Sequence, residues 1–169
     1  MKYGVIAAMT VVTVSTIATE MAAGVAAADP VVPQQAAVCN KAAGSSGALD
    51  NAQTFAPNGD VLICTPGPQV GLWQRVDGIQ RPVEAWFTFG PEATLTAGDV
   101  TPGQTWVGWN GYAGTTCTVE QTSTAGGPPV VTTINYDQLQ DFHLLPDLAT
   151  LKFRGACDWR KAGSSPYGP

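Results

Sequence analysis

Histidine is nearly absent from this chain, because His143 is the only one in 169 residues. Mechanisms that need two histidines, and metal sites built from several of them, are therefore excluded. The four cysteines also lack the C-x-x-C spacing that is typical of zinc ribbons and thiol redox sites. The sequence predicts neither a metal ion nor a cofactor.

Positive charge is scarce as well. The chain has 8 lysines and arginines against 13 aspartates and glutamates, and its formal net charge is -5. Nucleic-acid phosphates are bound by clustered lysine and arginine, so this balance argues against a nucleic acid as a partner.

The N-terminus has the order of a secretory signal peptide. Lys2 supplies an early charge, an uncharged run follows, and Ala26-Ala27-Ala28 before Asp29 forms an A-x-A cleavage site. Glu20 late in the run and the lack of a basic stop-transfer flank argue against a permanent anchor. We predict cleavage before Asp29 and no stable membrane span afterwards.

The end of this leader, "GVAAADP", resembles the leaders of small exported proteins of mycobacteria and their relatives. The resemblance covers only the leader, and it implies export without a specific activity. We therefore divide the chain into a signal peptide at 1–28, a single β domain at 29–162 and a flexible C-terminal tail at 163–169. The mature chain is long enough for one domain with a sizeable core.

The cysteines follow an export signal and are even in number, which predicts disulfides. Three connectivities are open, and we favour the sequential one, Cys39 with Cys64 and Cys117 with Cys157. In the chain-entropy model, the second pair stabilises the fold by about 4 kcal/mol, because it closes a loop of about 40 residues.

Short strand patterns separated by turn residues are typical of an all-β sandwich or barrel. We predict a single antiparallel β-sandwich with two disulfides, of which the immunoglobulin-like architecture is one form, and a small closed β-barrel is the alternative. Pro57-Asn58-Gly59 predicts a turn before a strand at 61–64. Asp77-Gly78 predicts a hairpin that sets Trp73 against Pro82.

Between Tyr136 and Asp147 the spacing of the apolar residues changes from the two-residue period of a strand to a spacing that fits a helix. Asp137 can cap a helix, Leu139 and Phe142 share a helical face, and one or two helical turns are therefore expected.

The segment 148–161 alternates regularly and predicts one continuous last strand. Its apolar residues lie on one side, and three cations, Lys152, Arg154 and Arg160, lie on the other. These cations fit a stripe that binds anions, but we favour a solvated or edge-protecting face.

No catalytic constellation emerges from the polar residues. Asp141 is only two residues before His143, and residues at that spacing do not face each other on a helix. The serine segment Gly44 to Ala48 lacks the second glycine of the G-x-S-x-G motif of serine hydrolases. A carboxylate pair across a cleft could hydrolyse a glycoside, and Asp137 with Asp141 would share one helical face. The other candidate acids are scattered: Glu84, Glu92, Glu120 and Asp158.

The aromatic residues of 105–112 are the candidates for ligand binding. On a strand, successive side chains alternate, so Trp106 and Trp109 point to opposite faces. Counting back from Cys117, which we place inside, we expect Trp109 to face the core. Trp106 and Tyr112 would then be available to a ligand.

These patterns favour a secreted or cell-wall protein that binds another protein or a cell-wall glycan without catalysis. A carbohydrate-binding module is an alternative, because such modules resemble this chain in size, export and β content and present tryptophan and tyrosine to sugars. A small hydrolase with a carboxylate pair is another. A protease inhibitor is the last, with the loop "TPGPQV" at 65–70 beside Cys64 as its contact segment.

Overall fold

The structure is a computed structural model that describes residues 32–41, 49–90 and 92–164. The described residues form twelve strands and no helix. The strands are β1 Val38–Lys41, β2 Gln53–Phe55, β3 Val61–Thr65, β4 Val70–Val76, β5 Ala85–Thr88, β6 Ala93–Thr96, β7 Thr105–Asn110, β8 Cys117–Ser123, β9 Val130–Ile134, β10 Gln138–His143, β11 Leu148–Arg154 and β12 Cys157–Lys161. The predicted signal peptide and all but the first two residues of the predicted tail lie outside the described residues.

Two sheets make up the fold. The large sheet has eight strands in the order β1-β4-β3-β2-β5-β12-β7-β10, and the small sheet has four in the order β6-β11-β8-β9. The pairings are antiparallel, except that β2 and β5 are parallel. The predicted all-β sandwich is therefore confirmed, with one parallel pair in an otherwise antiparallel order.

The main core fills the space between the two sheets. Trp106 and Trp159 enter it from the large sheet and Phe153 enters it from the small sheet. The Phe153 ring stacks on Trp159 at 4.7 Å and on Trp106 at 6.2 Å between centroids. Trp159 Nε1 donates to Thr88 Oγ1 at 2.8 Å, so this buried polar atom has its partner. Ring packing of this kind stabilises the contact between the layers.

A second, smaller core lies on the outer face of the large sheet, which points away from the small sheet. β5 is buried on both faces, because Trp86 belongs to the main core and Phe87 to the second. Phe87 stacks on Trp73 at 6.2 Å between ring centroids, although β3 and β2 lie between their strands. Neighbouring strands are spaced about 4.8 Å apart, so the two side chains extend toward each other across the strands between them.

Both disulfides have the predicted pairing. Cys39–Cys64 connects β1 to β3, with 5.8 Å between the Cα atoms. Cys117–Cys157 connects β8 of the small sheet to β12 of the large sheet, with 6.1 Å between the Cα atoms. The second disulfide therefore fastens the two layers to each other.

The predicted hairpin at Asp77-Gly78 is wrong. Val76 ends β4, and the partners of β4 are β1 and β3. The chain after Gly78 is held by Gln53 instead, since Gln80 N donates to Gln53 Oε1 at 2.7 Å and Gln53 Nε2 donates to the Gln80 carbonyl at 2.7 Å. The turn at 57–59 is confirmed, because β2 and β3 pair on either side of it.

Asp99 fixes the next connection in the chain. Thr96 donates its backbone N–H and its hydroxyl to Asp99 Oδ2 at 2.7 Å each, and Arg81 Nη2 lies 2.8 Å from Asp99 Oδ1. Burial raises the pKa of the Asp99 carboxyl, but the hydrogen bonds from Thr96 and Arg81 outweigh burial and hold the pKa below its usual value.

The helical turns expected after Tyr136 are also wrong. Residues 138–143 form β10, which pairs with β7 over six residues. On a strand, Leu139 and Phe142 point to opposite faces, and Phe142 is buried while Leu139 is exposed. Pairing with the edge of β7 therefore overrides the weak helical pattern.

The predicted last strand is two strands in two different sheets. β11 belongs to the small sheet and β12 to the large sheet, and Gly155 between them has φ +91°. A side chain at Gly155 would collide with the Thr116 carbonyl. The three cations therefore form no common stripe: Arg160 is buried and donates to the Asp50 carbonyl at 2.9 Å, while Lys152 and Arg154 lie on the small sheet.

Candidate functional site

Trp106 lies in the main core and is 0% exposed. The expectation that it faces a ligand is wrong, because β7 buries its even-numbered residues while β8 buries odd-numbered ones such as Cys117. The two strands belong to different sheets, and Gly114, with φ +76°, lies in the turn between them. Alternation cannot be counted across such a change of sheet.

Trp109 lies on the outer face of the large sheet, opposite to Trp106. It is partly buried, and its indole ring lies against the backbone of Gly111, where a Cβ atom would overlap the ring. Trp109 is directly opposite Leu139 of β10 on one side and Asp158 of β12 on the other. Glycine at 111 therefore permits the ring position.

Tyr112 packs on the same outer face. Its ring centroid is 6.1 Å from that of Phe87, and its backbone is held by Asn110, whose Oδ1 accepts the Tyr112 N–H at 3.2 Å. Burial, together with the nearby Asp158 carboxylate, raises the pKa of the Tyr112 hydroxyl. The hydroxyl therefore stays protonated at neutral pH.

The edge strand β10 carries the most exposed part of this face. We define the β10 surface as Val107, Trp109, Leu139 and Asp141, where Val107 pairs with Asp141 and Trp109 with Leu139. Leu139 is 51% exposed, and Asp141 is also exposed. None of the ion pairs among the described residues includes Asp141 or its neighbour Asp137. The surface thus combines apolar side chains with uncompensated negative charge.

Exposed apolar side chains are frequent in the segment that leads into β10 and in β10 itself. Seven large hydrophobic residues are exposed among those described, and four of them fall within residues 130–139. They are Val130, Val131, Tyr136 and Leu139; Val130 and Val131 lie on β9 of the small sheet, and only Leu139 belongs to the β10 surface.

Three of the candidate catalytic residues, Glu92, Glu120 and His143, are engaged in structural contacts. Arg154 contacts Glu92 Oε2 through Nη2 at 2.8 Å and Glu120 Oε2 through Nη1 at 3.2 Å, so one guanidinium holds both carboxylates. His143 is exposed, and its Nδ1 lies 2.8 Å from Thr105 Oγ1. Within the described ranges, no group of three or more histidine, cysteine, aspartate or glutamate residues could hold a metal ion.

The loop at 65–70 forms an uncharged cleft. The cleft has a volume of about 310 Å³ and is lined by this loop together with Leu72 and Gln74. Residues 66–69 are exposed, while Cys64 immediately before the loop is 0% exposed. The exposed loop therefore follows directly on a buried, disulfide-bonded residue.

In the part of the chain that the structure describes, no helix has the length and apolar character that a membrane crossing requires.

Sequence reasoning named Tyr112 but missed Trp109 and Leu139. The alternation of β7 correctly separated Trp106 from Trp109 and assigned the wrong one to the core. Leu139 was missed because four of the six residues of β10 are polar, which conceals a strand.

Comparison with known proteins gives no match to any protein-family model, curated protein or solved structure.

Proposed function

We propose that this chain is a secreted or cell-envelope binding module that contacts a partner protein through the β10 surface and performs no catalysis. One observation carries the proposal: Leu139, which is 51% exposed, lies directly opposite Trp109, whose ring is seated on Gly111. A tryptophan in a fixed position beside an exposed aliphatic residue is the composition from which binding hot spots are built.

The chemistry of this surface favours a protein over a glycan. Sugar rings stack on flat, open aromatic faces, whereas Leu139 is aliphatic and Trp109 is partly buried. Interface centres in proteins combine aromatic and aliphatic groups with a polar rim. Asp137 and Asp141 supply negative charge to that rim and favour a partner with cations.

Export is part of the proposal. Disulfides persist in oxidising compartments, so the two present here support an extracellular or envelope location together with the leader at 1–28. We expect the exported protein to begin at Asp29 and to contain no free thiol. Intact-mass measurement with and without an alkylating agent checks both points, and an alkylated cysteine in unreduced protein would contradict the second.

The proposed function is tested by sedimentation of the mature protein with an insoluble mycobacterial envelope preparation. Leu139→Ser should lower the bound fraction about tenfold, because a central apolar contact is lost. Val131→Ser is the matched control, since Val131 is 57% exposed on the small sheet.

Protease treatment of the envelope preparation before mixing identifies the class of partner. Binding that disappears after this treatment supports a protein partner. Binding that persists indicates a glycan and contradicts the proposal, as does an equal loss for Leu139→Ser and Val131→Ser.

A protease inhibitor is the second candidate, and the loop at 65–70 favours it. The loop is exposed, contains Pro66 and Pro68, and follows the buried Cys64. Its test is stoichiometric inhibition of trypsin-, chymotrypsin- and subtilisin-type proteases. Inhibition that survives Leu139→Ser but disappears when residues 66–69 are replaced by a glycine-serine turn would place this candidate first.

A further inference from the structure

Within the described part of the chain, no strand pairs with the outer edge of β10, and this edge indicates how a partner binds. We infer that β10 binds its partner by strand addition, in which an extended segment with alternating apolar and basic side chains pairs with Leu139 and Asp141 and lengthens the eight-stranded sheet. The inference rests on the proposed binding role of the β10 surface, and it names the binding mode and the partner's chemistry.

The register of β10 on β7 determines which backbone groups are open. Leu144, immediately after β10, donates its N–H to the Gln104 carbonyl at 2.8 Å. Hydrogen-bonded and non-hydrogen-bonded pairs alternate along an antiparallel ladder, so Gln140 and Phe142 of β10 direct their N–H and C=O groups toward β7. The odd-numbered residues Leu139, Asp141 and His143 direct theirs toward the open edge.

Side chains limit the open segment to Leu139 through Asp141. The His143 carbonyl accepts Gln121 Nε2 at 3.0 Å, and Gln121 is 2% exposed, so this contact closes one end. The Asp141 carbonyl accepts Gln140 Nε2 at 2.9 Å. Because Gln140 is exposed, its amide can turn to solvent when a partner strand arrives.

The other described sheet edges have features that discourage pairing, and β10 lacks them. β1 has a register shift between Val38 and Asn40, β6 has four residues, and β9 follows Pro128-Pro129. β10 pairs over six consecutive residues without a shift and contains no lysine, arginine or proline. Bulges, short length, lysine and proline are the usual protection of edge strands.

Charge on the outer face defines the partner's chemistry. Leu139 and Asp141 are two positions apart, so their side chains lie on the same face of β10. A partner strand would place an apolar side chain beside Leu139 and, two positions away, another side chain beside Asp141. Since no described ion pair includes Asp141, a lysine or arginine there gains a direct ion pair.

The experiment uses the disulfide-bonded mature protein labelled with ¹⁵N and a blocked peptide built from the repeat Thr-Val-Thr-Lys. We expect the peptide to shift the amide resonances of Leu139 and Asp141 and to slow their hydrogen exchange. The counterpart peptide with glutamate in place of lysine should bind at least about tenfold more weakly. Shifts confined to residues away from β10, or equal binding of the two peptides, would overturn the inference.

Backbone methylation of the peptide tests the strand itself. Only one of the two alternating sets of peptide N–H groups can face Leu139, so N-methylation of that set should abolish binding and N-methylation of the other set should preserve it. Equal binding of both methylated peptides refutes strand addition.

Protein variants test the charge. Asp141→Asn should weaken binding of the lysine peptide severalfold, and Asp77→Asn, which changes an exposed loop carboxylate, is the matched control. An equal effect of the two variants contradicts the assigned role of Asp141. If Leu139→Ser abolishes envelope binding while N-methylation changes nothing, strand addition is refuted and the proposed function stands.

Discussion

Replacing Trp106 by alanine should destabilise the protein far more than the same change at Trp109. Trp106 is 0% exposed and stacks on Phe153 at 6.2 Å. A buried tryptophan removes about 150–250 Å² from water, worth about 4–6 kcal/mol at about 25 cal/mol per Å², which is an upper bound. Observed losses for such truncations are about 3–5 kcal/mol.

One feature of Trp106 leads us to expect a loss of stability in the lower half of that range. Its Nε1 is buried and has no hydrogen-bond partner among the described residues, so the truncation also removes an unsatisfied donor. We expect a loss of about 3–4 kcal/mol for Trp106→Ala. Because Trp109 is only partly buried, Trp109→Ala should lower the free energy of unfolding by about 1–2 kcal/mol.

Guanidinium unfolding followed by far-ultraviolet circular dichroism measures both losses with the disulfides intact. Fluorescence is unsuitable, because each variant removes a fluorophore. Trp106→Phe serves as a control, since it keeps a ring against Phe153 and removes the unpaired N–H. A loss at Trp109 equal to or larger than that at Trp106 would show that the assignment of the two faces of β7 is wrong.

Three further predictions concern ionisation and the disulfides. Because the pKa of Asp99 is held low, Asp99→Asn should lower the free energy of unfolding by about 1–3 kcal/mol at neutral pH, and this difference should shrink below about pH 4 in acid titrations of stability. A constant difference would contradict it. Because the pKa of Tyr112 is raised, the wild-type protein should lose stability above about pH 10 more steeply than Tyr112→Phe, and parallel curves would refute this. Replacing both Cys117 and Cys157 by alanine should cost about 4 kcal/mol in denaturant, since the crosslink spans 40 residues; an unchanged midpoint would be the contrary result.

Turn chemistry predicted one hairpin correctly and one incorrectly, and the difference is not local. Pro57-Asn58-Gly59 connects β2 to β3, which pair directly. Asp77-Gly78 has an equally good hairpin signature, but it follows β4, and both edges of β4 are occupied by β1 and β3. A strand with two partners cannot accept the segment that follows it. The sequence around a turn contains no information about that occupancy.

Alternation was reliable within a strand and unreliable across a change of sheet. In 148–161 it correctly placed Phe153 and Trp159 in the main core, which they enter from opposite sheets, but Asp158 and Arg160 on the other side are buried as well. The same pattern predicted one continuous strand, which is wrong. For Trp106 the change of sheet after β7 reversed the assignment of faces. The candidate site around Trp109 follows from this reversal and could be identified only from the structure.

The two disulfides also determine how the protein responds to mechanical load. A chain pulled from its ends cannot extend the residues enclosed by a disulfide. Cys39–Cys64 has a sequence separation of 25 and therefore removes about 90 Å from the extensible length of the chain. Cys117–Cys157 has a sequence separation of 40 and removes about 140 Å. Between the crosslinks, only residues 65–116 can be drawn out, and these include β4, β5 and β7 of the large sheet. Residues 118–156, which contain β9, β10 and β11, lie inside the second crosslinked loop. Tension therefore reaches the open edge of β10 only through its neighbours and never along its own backbone.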